Sequence, residues 1–344
     1  FGGMVISAFT IDYCMNVMTP VGVANGFSPK LSPKMKPSEN SHAPQNIKTK
    51  SLPPEITGKL MRFATYASVF VASTLVIIKF GAWLFSDSVA VLSSLIDSAL
   101  DVVASLVTLF AVHHALAPAD REHRFGHGKA ESIAALGQAA FITGSAIFLL
   151  FESGNRLIRP QPVDYGDLAI TVMAISVVLT FALVRLQLYV VHRTGSLAIG
   201  ADSIHYKADL LVNAGIIASL VLSTRFGIPV ADPLIAVAVA GYILYSAWHI
   251  GREALDSLMD HELSEQDRNR IGAIVAAHSA VKGLHDLRTR MAGTKPFIQL
   301  HLELPGDMTL HDAHIISDQV EADLLTEFPD AEVIIHQDPE GINE

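Results

Sequence analysis

At 344 residues the chain could hold two or three soluble domains, yet half of it is hydrophobic and its mean hydropathy is +0.39, which points to a polytopic membrane protein instead. The formal net charge of -10 argues against nucleic acid or an anionic membrane surface as the main partner and suits a cationic one. With Cys14 as the single cysteine there is no internal disulfide and no thiolate metal cluster, so any metal must be held by Asp, Glu or the fifteen histidines.

Residues 1–55 are expected to form a mostly disordered tail. Runs such as FSPKLSPKMKPSENSHAPQNIKTKSLPPE have too little apolar content after Phe27 to support a core. The preceding segment from Met4 carries Asp12 and lacks a basic stretch, which argues against a cleaved signal peptide.

Residues 56–257 hold six apolar segments, at about 61–85, 89–117, 130–156, 168–191, 199–222 and 234–254, each long enough for the roughly 20 residues a spanning helix needs. The breaks FSDSV, APADREHRFGHGK, RLIRPQPVDYGD, VHRTGS and TRFGIPVADP carry turn signals or charge. An even number of spans puts both termini on one side of the membrane. Lys30, Lys34, Lys36, Lys48, Lys50, Lys59 and Arg62 precede the first span, and Arg121, Arg124, Lys129 and Arg193 fall on the same side. Only Arg156, Arg159 and Arg225 fall opposite, so the basic-residue bias predicts cytoplasmic termini. Residues 258–340 mix charge and apolar character as a soluble α-β-β-α-β unit, short for an independent fold and therefore a candidate for support by oligomerisation or metal. Residues 341–344 are a short tail.

Two spans carry ionisable pairs at matched spacing. SLIDSALDVVASLV in the second places Asp97 and Asp101 four residues apart, on one helical face about 40° apart. ADSIHYKADLLVN in the fifth does the same for His205 and Asp209. A carboxylate at the bilayer centre costs about 2.5–3.5 kcal/mol on insertion scales, so such groups normally have a use. Three carboxylates and one imidazole make a four-coordinate set suited to Zn²⁺ or another first-row divalent ion. The ligands must be deprotonated to bind, so protons compete with the metal and a metal/proton exchange follows as a hypothesis. The alternative is that these groups merely pair with Lys79 or Lys207, or line a packing seam. Asp202, nearer the start of its span, reads as a helix-start residue.

Outside the spans, PADREHRFGHGKAE offers Asp120, His123 and His127 as a second candidate metal site, or as a solvated polar loop in which Lys129 makes an ion pair. In the soluble unit His285, His301 and His336 fall on the three expected strands and His314 on the second helix. Strand alternation puts Asp338 on the face of His336. These imidazoles, with a carboxylate able to bridge two ions, would suit a binuclear zinc site; the alternative is scattered surface histidines.

The order DSALD, PADREHRFGHGKAES, ADSIHYKADLLVN, HDLRTR, IQLHLE, AHIISDQVE and VIIHQDP resembles the cation diffusion facilitator family, in particular its bacterial ferrous-iron and zinc efflux pumps, over roughly Ser51 to Pro339. The resemblance implies a six-helix membrane domain and a metallochaperone-like cytoplasmic domain, assembled as a homodimer in the inner membrane and exporting Zn²⁺ or Fe²⁺ for protons by alternating access. It implies a transport site of Asp97, Asp101, His205 and Asp209, and a loop site of Asp120, His123 and His127. It further implies a binuclear cytoplasmic site of His285, His301, His314, His336 and the bridging Asp338. Lys129 and Asp260 match residues forming a charge interlock that holds the family's dimer together. Zinc-selective members tend to have His where this chain has Asp97, and manganese members tend to lack His205. A Mn²⁺ or Co²⁺/Cd²⁺ exporter is the alternative within the family. An intramembrane metallohydrolase finds little support, with no HExxH pattern and no separate base, and a metal sensor would bind ions without moving them.

Overall fold

The computed structural model describes residues 53–86, 89–158, 167–226 and 231–341. The expected N-terminal tail lies almost wholly outside the described residues, as do Lys30 to Lys50, Arg159 and the side chains of Arg156 and Arg225.

Six long helices come first: α1 (Pro54–Ser86), α2 (Val89–Ala115), α3 (Ala130–Ile158), α4 (Asp167–Thr194), α5 (Leu197–Phe226) and α6 (Ala231–Leu258). Helix α1 starts at Pro54, ahead of the apolar block at about 61, because proline is favoured in a first helical turn, where no N–H is needed. All but α5 are long and apolar enough to cross a membrane, and only 22–33% of each such window is buried within the protein. Their apolar side chains therefore face outward, as Phe70, Phe110, Phe148 and Trp248 do, which suits a lipid surround. Helix α5 is of similar length but spends its polar residues inward: Asp202, Ser203 and His205 are buried. The chain is thus a polytopic membrane protein in which α5, of similar length to the others, carries more polar residues.

The closest helix packing uses small side chains. Helices α3 and α6 meet along Ala135, Ala139, Ala247 and Ala254, where backbones can approach. Polar crosslinks fix the rest of the bundle. Gln187 Nε2 on α4 donates to Ser68 Oγ on α1 (2.9 Å) and to Asp202 Oδ2 on α5 (2.7 Å). Asp202 is therefore an interior anchor rather than a helix-start residue. Gln138 on α3 donates to Thr108 on α2 at 3.0 Å.

The cytoplasmic unit follows as α7 (Glu265–Ala276), β1 (Gly283–Ala292), β2 (Lys295–Leu304), α8 (Leu310–Glu327) and β3 (Glu332–Pro339), the α-β-β-α-β order. Ser264 and Thr309 cap α7 and α8 by accepting from the backbone N–H groups of Asp267 and Asp312. Strand β2 is central, antiparallel to β1 and parallel to β3. Its residues Ile298, Leu300, Leu302 and Leu304 alternate onto one face and pack with Ile271, Val275, Val320 and Leu324 of the two helices. Alternation leaves Gln299, His301 and Glu303 for the opposite face.

The loop before α3 is pressed against the β1–β2 turn. A Cβ on Gly128 would lie 2.1 Å from the carbonyl oxygen of Ala292, a main-chain atom that cannot step aside. Nearby, Arg290 of β1 stacks on Phe297 (4.3 Å) and on Phe125 of the loop (5.2 Å). We expect Gly128→Ala to destabilise this docking by about 1–3 kcal/mol, read as a lower Tm of the detergent-solubilised protein. Gly137→Ala, whose Cβ would meet nothing within 4 Å, should not lower it. Equal melting of the two variants would contradict the contact.

Candidate metal centres

Within the bundle, α2 carries Asp97 and Asp101, and α5 carries His205 and Asp209. His205 Nε2 lies 2.9 Å from Asp101 Oδ1 and 3.9 Å from Asp209 Oδ2. One ligand atom from each of Asp101, His205 and Asp209 lies within 4.8 Å of the others. Tetrahedral zinc with bonds of about 2.0–2.2 Å sets its ligand atoms about 3.3–3.6 Å apart, so a small side-chain movement closes this group on an ion. Asp97 stands outside the trio, one turn away, and lines the same cavity of about 620 Å³.

Neighbouring residues hold the two helices in register. Tyr206, beside His205, exchanges a hydrogen bond of 2.7 Å with Ser105, one turn beyond Asp101. The His205 ring is flanked by Phe141 and Tyr206 at 5.6 and 5.5 Å. Direct pairing of the carboxylates with Lys79 is not what the structure has: its Nζ donates to Ser98 Oγ (2.7 Å) and the Ser94 carbonyl (3.2 Å).

The loop between α2 and α3 gathers the second group. Asp120 Oδ1 lies 3.4 Å from His123 Nδ1, and its Oδ2 lies 3.3 Å from His127 Nε2. Backbone N–H groups of His123 (2.6 Å) and Glu122 (2.9 Å) donate to the same carboxylate. These bonds, that of His123 foremost, hold Asp120 below the usual carboxylate range and keep it ionised and able to bind a cation. His127 is buried and its Nδ1 makes no hydrogen bond. The ring of His114, at the end of α2, lies 4.4 Å from His127 and was not singled out from the sequence, because twelve intervening positions give no periodic signal across a loop.

On the open face of the sheet, register does what spacing could not. His285 pairs with His301, and His301 with His336, so three imidazoles form one row across the strands. Asp338 sits beneath this row: its Oδ2 is 3.2 Å from His285 Nε2 and 2.9 Å from His301 Nδ1, and its Oδ1 is 3.1 Å from His336 Nε2. One carboxylate thus meets three imidazoles with both oxygens, an arrangement able to bridge two ions. His285, His301 and Asp338 form the tight group. His314 stands outside it, exposed on α8 and 3.5 Å from Asp318. Glu303 is an addition: its Oε1 is 3.3 Å from His285 Nδ1, and it could be read from the sequence as the same-face neighbour of His301. A Cβ at Gly283 would come within 2.5 Å of Glu303 Oε2, so any larger residue there would push this carboxylate from its present position. A β-bulge follows His285, with Asp286 at φ 45°. The donor sets here and in the loop, imidazole nitrogens with carboxylate oxygens, fit zinc.

Lys129 and Asp260 pair at 3.0 Å within one chain, and Arg290 joins Asp260 at 3.2 Å. Burial would raise the Asp260 carboxyl, but hydrogen bonds from Lys129 and Arg290 outweigh it and hold the group below its ordinary range. The stability this contributes is present at neutral pH and is lost only as acid carries the pH down through the depressed value. Asp260 also adopts φ 58°, a left-handed conformation held by these contacts.

Residues 65–259 match the model of the cation efflux transmembrane domain, and residues 263–340 that of the cation efflux protein cytoplasmic domain. The chain belongs to the cation diffusion facilitator family. The cation-efflux pump FieF of Shewanella oneidensis is 48% identical over 279 residues, covering 81% of this chain and 94% of the pump. The FieF of Klebsiella pneumoniae is 46% identical over 285 residues, covering 83% and 95%. The metal-bound C-terminal domain of the CzcD transporter from Thermotoga maritima aligns with 24% of this chain and 100% of its own at 30% identity, with a TM-score of 0.23. The two matched domains meet at Asp260 to Glu262, where Lys129 and Arg290 converge.

Replacing Asp338 with Ala removes the carboxylate common to three imidazoles. We expect the zinc stoichiometry of the full-length protein in equilibrium dialysis to fall, and to fall less for His314→Ala. Unchanged stoichiometry in Asp338→Ala would contradict a shared role for that carboxylate.

Proposed function

We propose that this chain exports divalent transition-metal ions, Zn²⁺ or Fe²⁺, from the cytoplasm across the inner membrane in exchange for protons. The observation that carries this is the convergence of Asp101, His205 and Asp209 inside the helical bundle, with Asp97 on the same cavity. The similarity to cation-efflux pumps supports the direction of transport. One imidazole and three carboxylates bind Zn²⁺ and Fe²⁺ readily and do not by themselves reject Mn²⁺, Co²⁺ or Cd²⁺. Ion and protons compete for the same lone pairs, so loading on one side expels protons and protonation on the other expels the metal.

In this reading the protein works as a homodimer by alternating access, with both termini in the cytoplasm. The cytoplasmic group of His285, His301, His336 and Asp338, with His314 nearby on α8, holds resident zinc and reports cytoplasmic metal. The loop group of Asp120, His123 and His127 is a further zinc site at the membrane boundary, and Lys129 with Asp260 fixes the two domains near the dimer axis. Bound zinc there would crosslink elements rather than activate water.

Liposomes reconstituted with the full chain and an internal metal-sensitive dye test the proposal. Zn²⁺ or Fe²⁺ should enter, faster when the interior is acid, and a protonophore should slow entry. Asp101→Ala should reduce flux to the protein-free background, whereas His285→Ala should leave residual transport. Wild-type flux in Asp101→Ala would remove the site assignment, and flux indifferent to the pH gradient would remove the proton exchange.

A further inference from the structure

Lys79 is a cation in the membrane domain that the transport reading leaves without a role. It lies on α1, which packs extensively on α2. Its Nζ is partly buried and donates to the Ser98 hydroxyl at 2.7 Å and the Ser94 carbonyl at 3.2 Å, both on α2. Ser98 falls between Asp97 and Asp101, and the acidic side chains in electrostatic reach of the ammonium are Asp101, Asp209 and Asp97. A lysine inside a bundle normally forms an ion pair or stands in a polar cavity. Here two serine oxygens hold it beside the carboxylates and off them.

We infer that Lys79 is the fixed counter-charge of the transport site, parked by Ser98 and Ser94 so that it lowers metal affinity without occupying the metal's place. The inference rests on the transport-site reading above. Deprotonated to receive a metal, Asp97, Asp101 and Asp209 together carry three negative charges, of which the ammonium offsets one. Without the ammonium the same ligands would keep that charge unopposed, hold the ion more tightly and release it more slowly. The serine anchor sets the sign of its effect. An ammonium tied to α2 tunes the site at a distance, whereas one set free would settle on a carboxylate and compete with the ion directly.

The two substitutions therefore have opposite expected effects on Zn²⁺ flux in proteoliposomes. Lys79→Gln should lower the KM about tenfold and lower the maximal rate with it, and Lys79→Arg should restore both toward wild type. Ser98→Ala, a small change expected to fold, should raise the KM severalfold by releasing the ammonium onto the carboxylates. Asp101→Ala runs in parallel: if it transports, the transport-site reading fails. If Asp101→Ala is inactive, the inference on Lys79 is overturned by a wild-type KM in Lys79→Gln, by Lys79→Arg matching Lys79→Gln, or by an unchanged KM in Ser98→Ala. Should Lys79→Gln fail to fold, the sign of the Ser98→Ala shift decides alone.

Discussion

An imidazole and carboxylates held between two helices in an apolar surround form the constraint on which the membrane domain is organised. His205 and Asp101 touch at 2.9 Å, and groups of this kind are expensive to keep from water unless paired or bound to an ion. The surrounding structure is arranged to tolerate them. Tyr206 and Ser105 lock the two helices beside the site, Gln187 ties Asp202 of the same helix to α1, and Lys79 sits within reach on serine oxygens. Helix α5 is less apolar than its neighbours because it carries this machinery, and the other long helices supply the lipid-facing surface.

The cytoplasmic domain is joined to this bundle by chemistry of a different kind. Gly128 brings the loop backbone against the β1–β2 turn, Arg290 is sandwiched by Phe125 and Phe297, and Asp260 receives both Lys129 and Arg290. Glu131, at the start of α3, is buried and accepts a hydrogen bond from Ser196 just before α5 begins. The β1–β2 turn is thus linked, through main-chain contact and one buried carboxylate, to the start of the helix that bears His205 and Asp209.

Much of this was legible in the sequence, for identifiable reasons. Long apolar blocks announce spanning helices because lipid demands them, and the four-residue spacings placed Asp97 with Asp101 and His205 with Asp209 on shared helical faces. Period-two alternation put His336 with Asp338, and would equally have put Glu303 with His301. Long-range facts were not legible. The row of His285, His301 and His336 depends on the pairing register of three strands, one of them reached across a helix. The contact of His114 with His127, the stacking of Arg290 and the serine cradle of Lys79 depend on how distant segments pack. Asp202 misled because an acidic residue early in a helix is common at the surface, and only the neighbouring Gln187 reveals that it points inward.

The central claim is that one imidazole from α5 and carboxylates from both helices bind the transported ion together. The direct measurement is the zinc X-ray absorption spectrum of the full-length protein with the other candidate imidazole ligands removed by His123→Ala, His127→Ala, His285→Ala, His301→Ala, His314→Ala and His336→Ala. The account predicts bound zinc with a single imidazole among oxygen ligands at about 2.0–2.2 Å, and loss of the imidazole signal on adding His205→Ala. An imidazole signal that survives His205→Ala, or zinc bound through oxygen alone before that change, would contradict it.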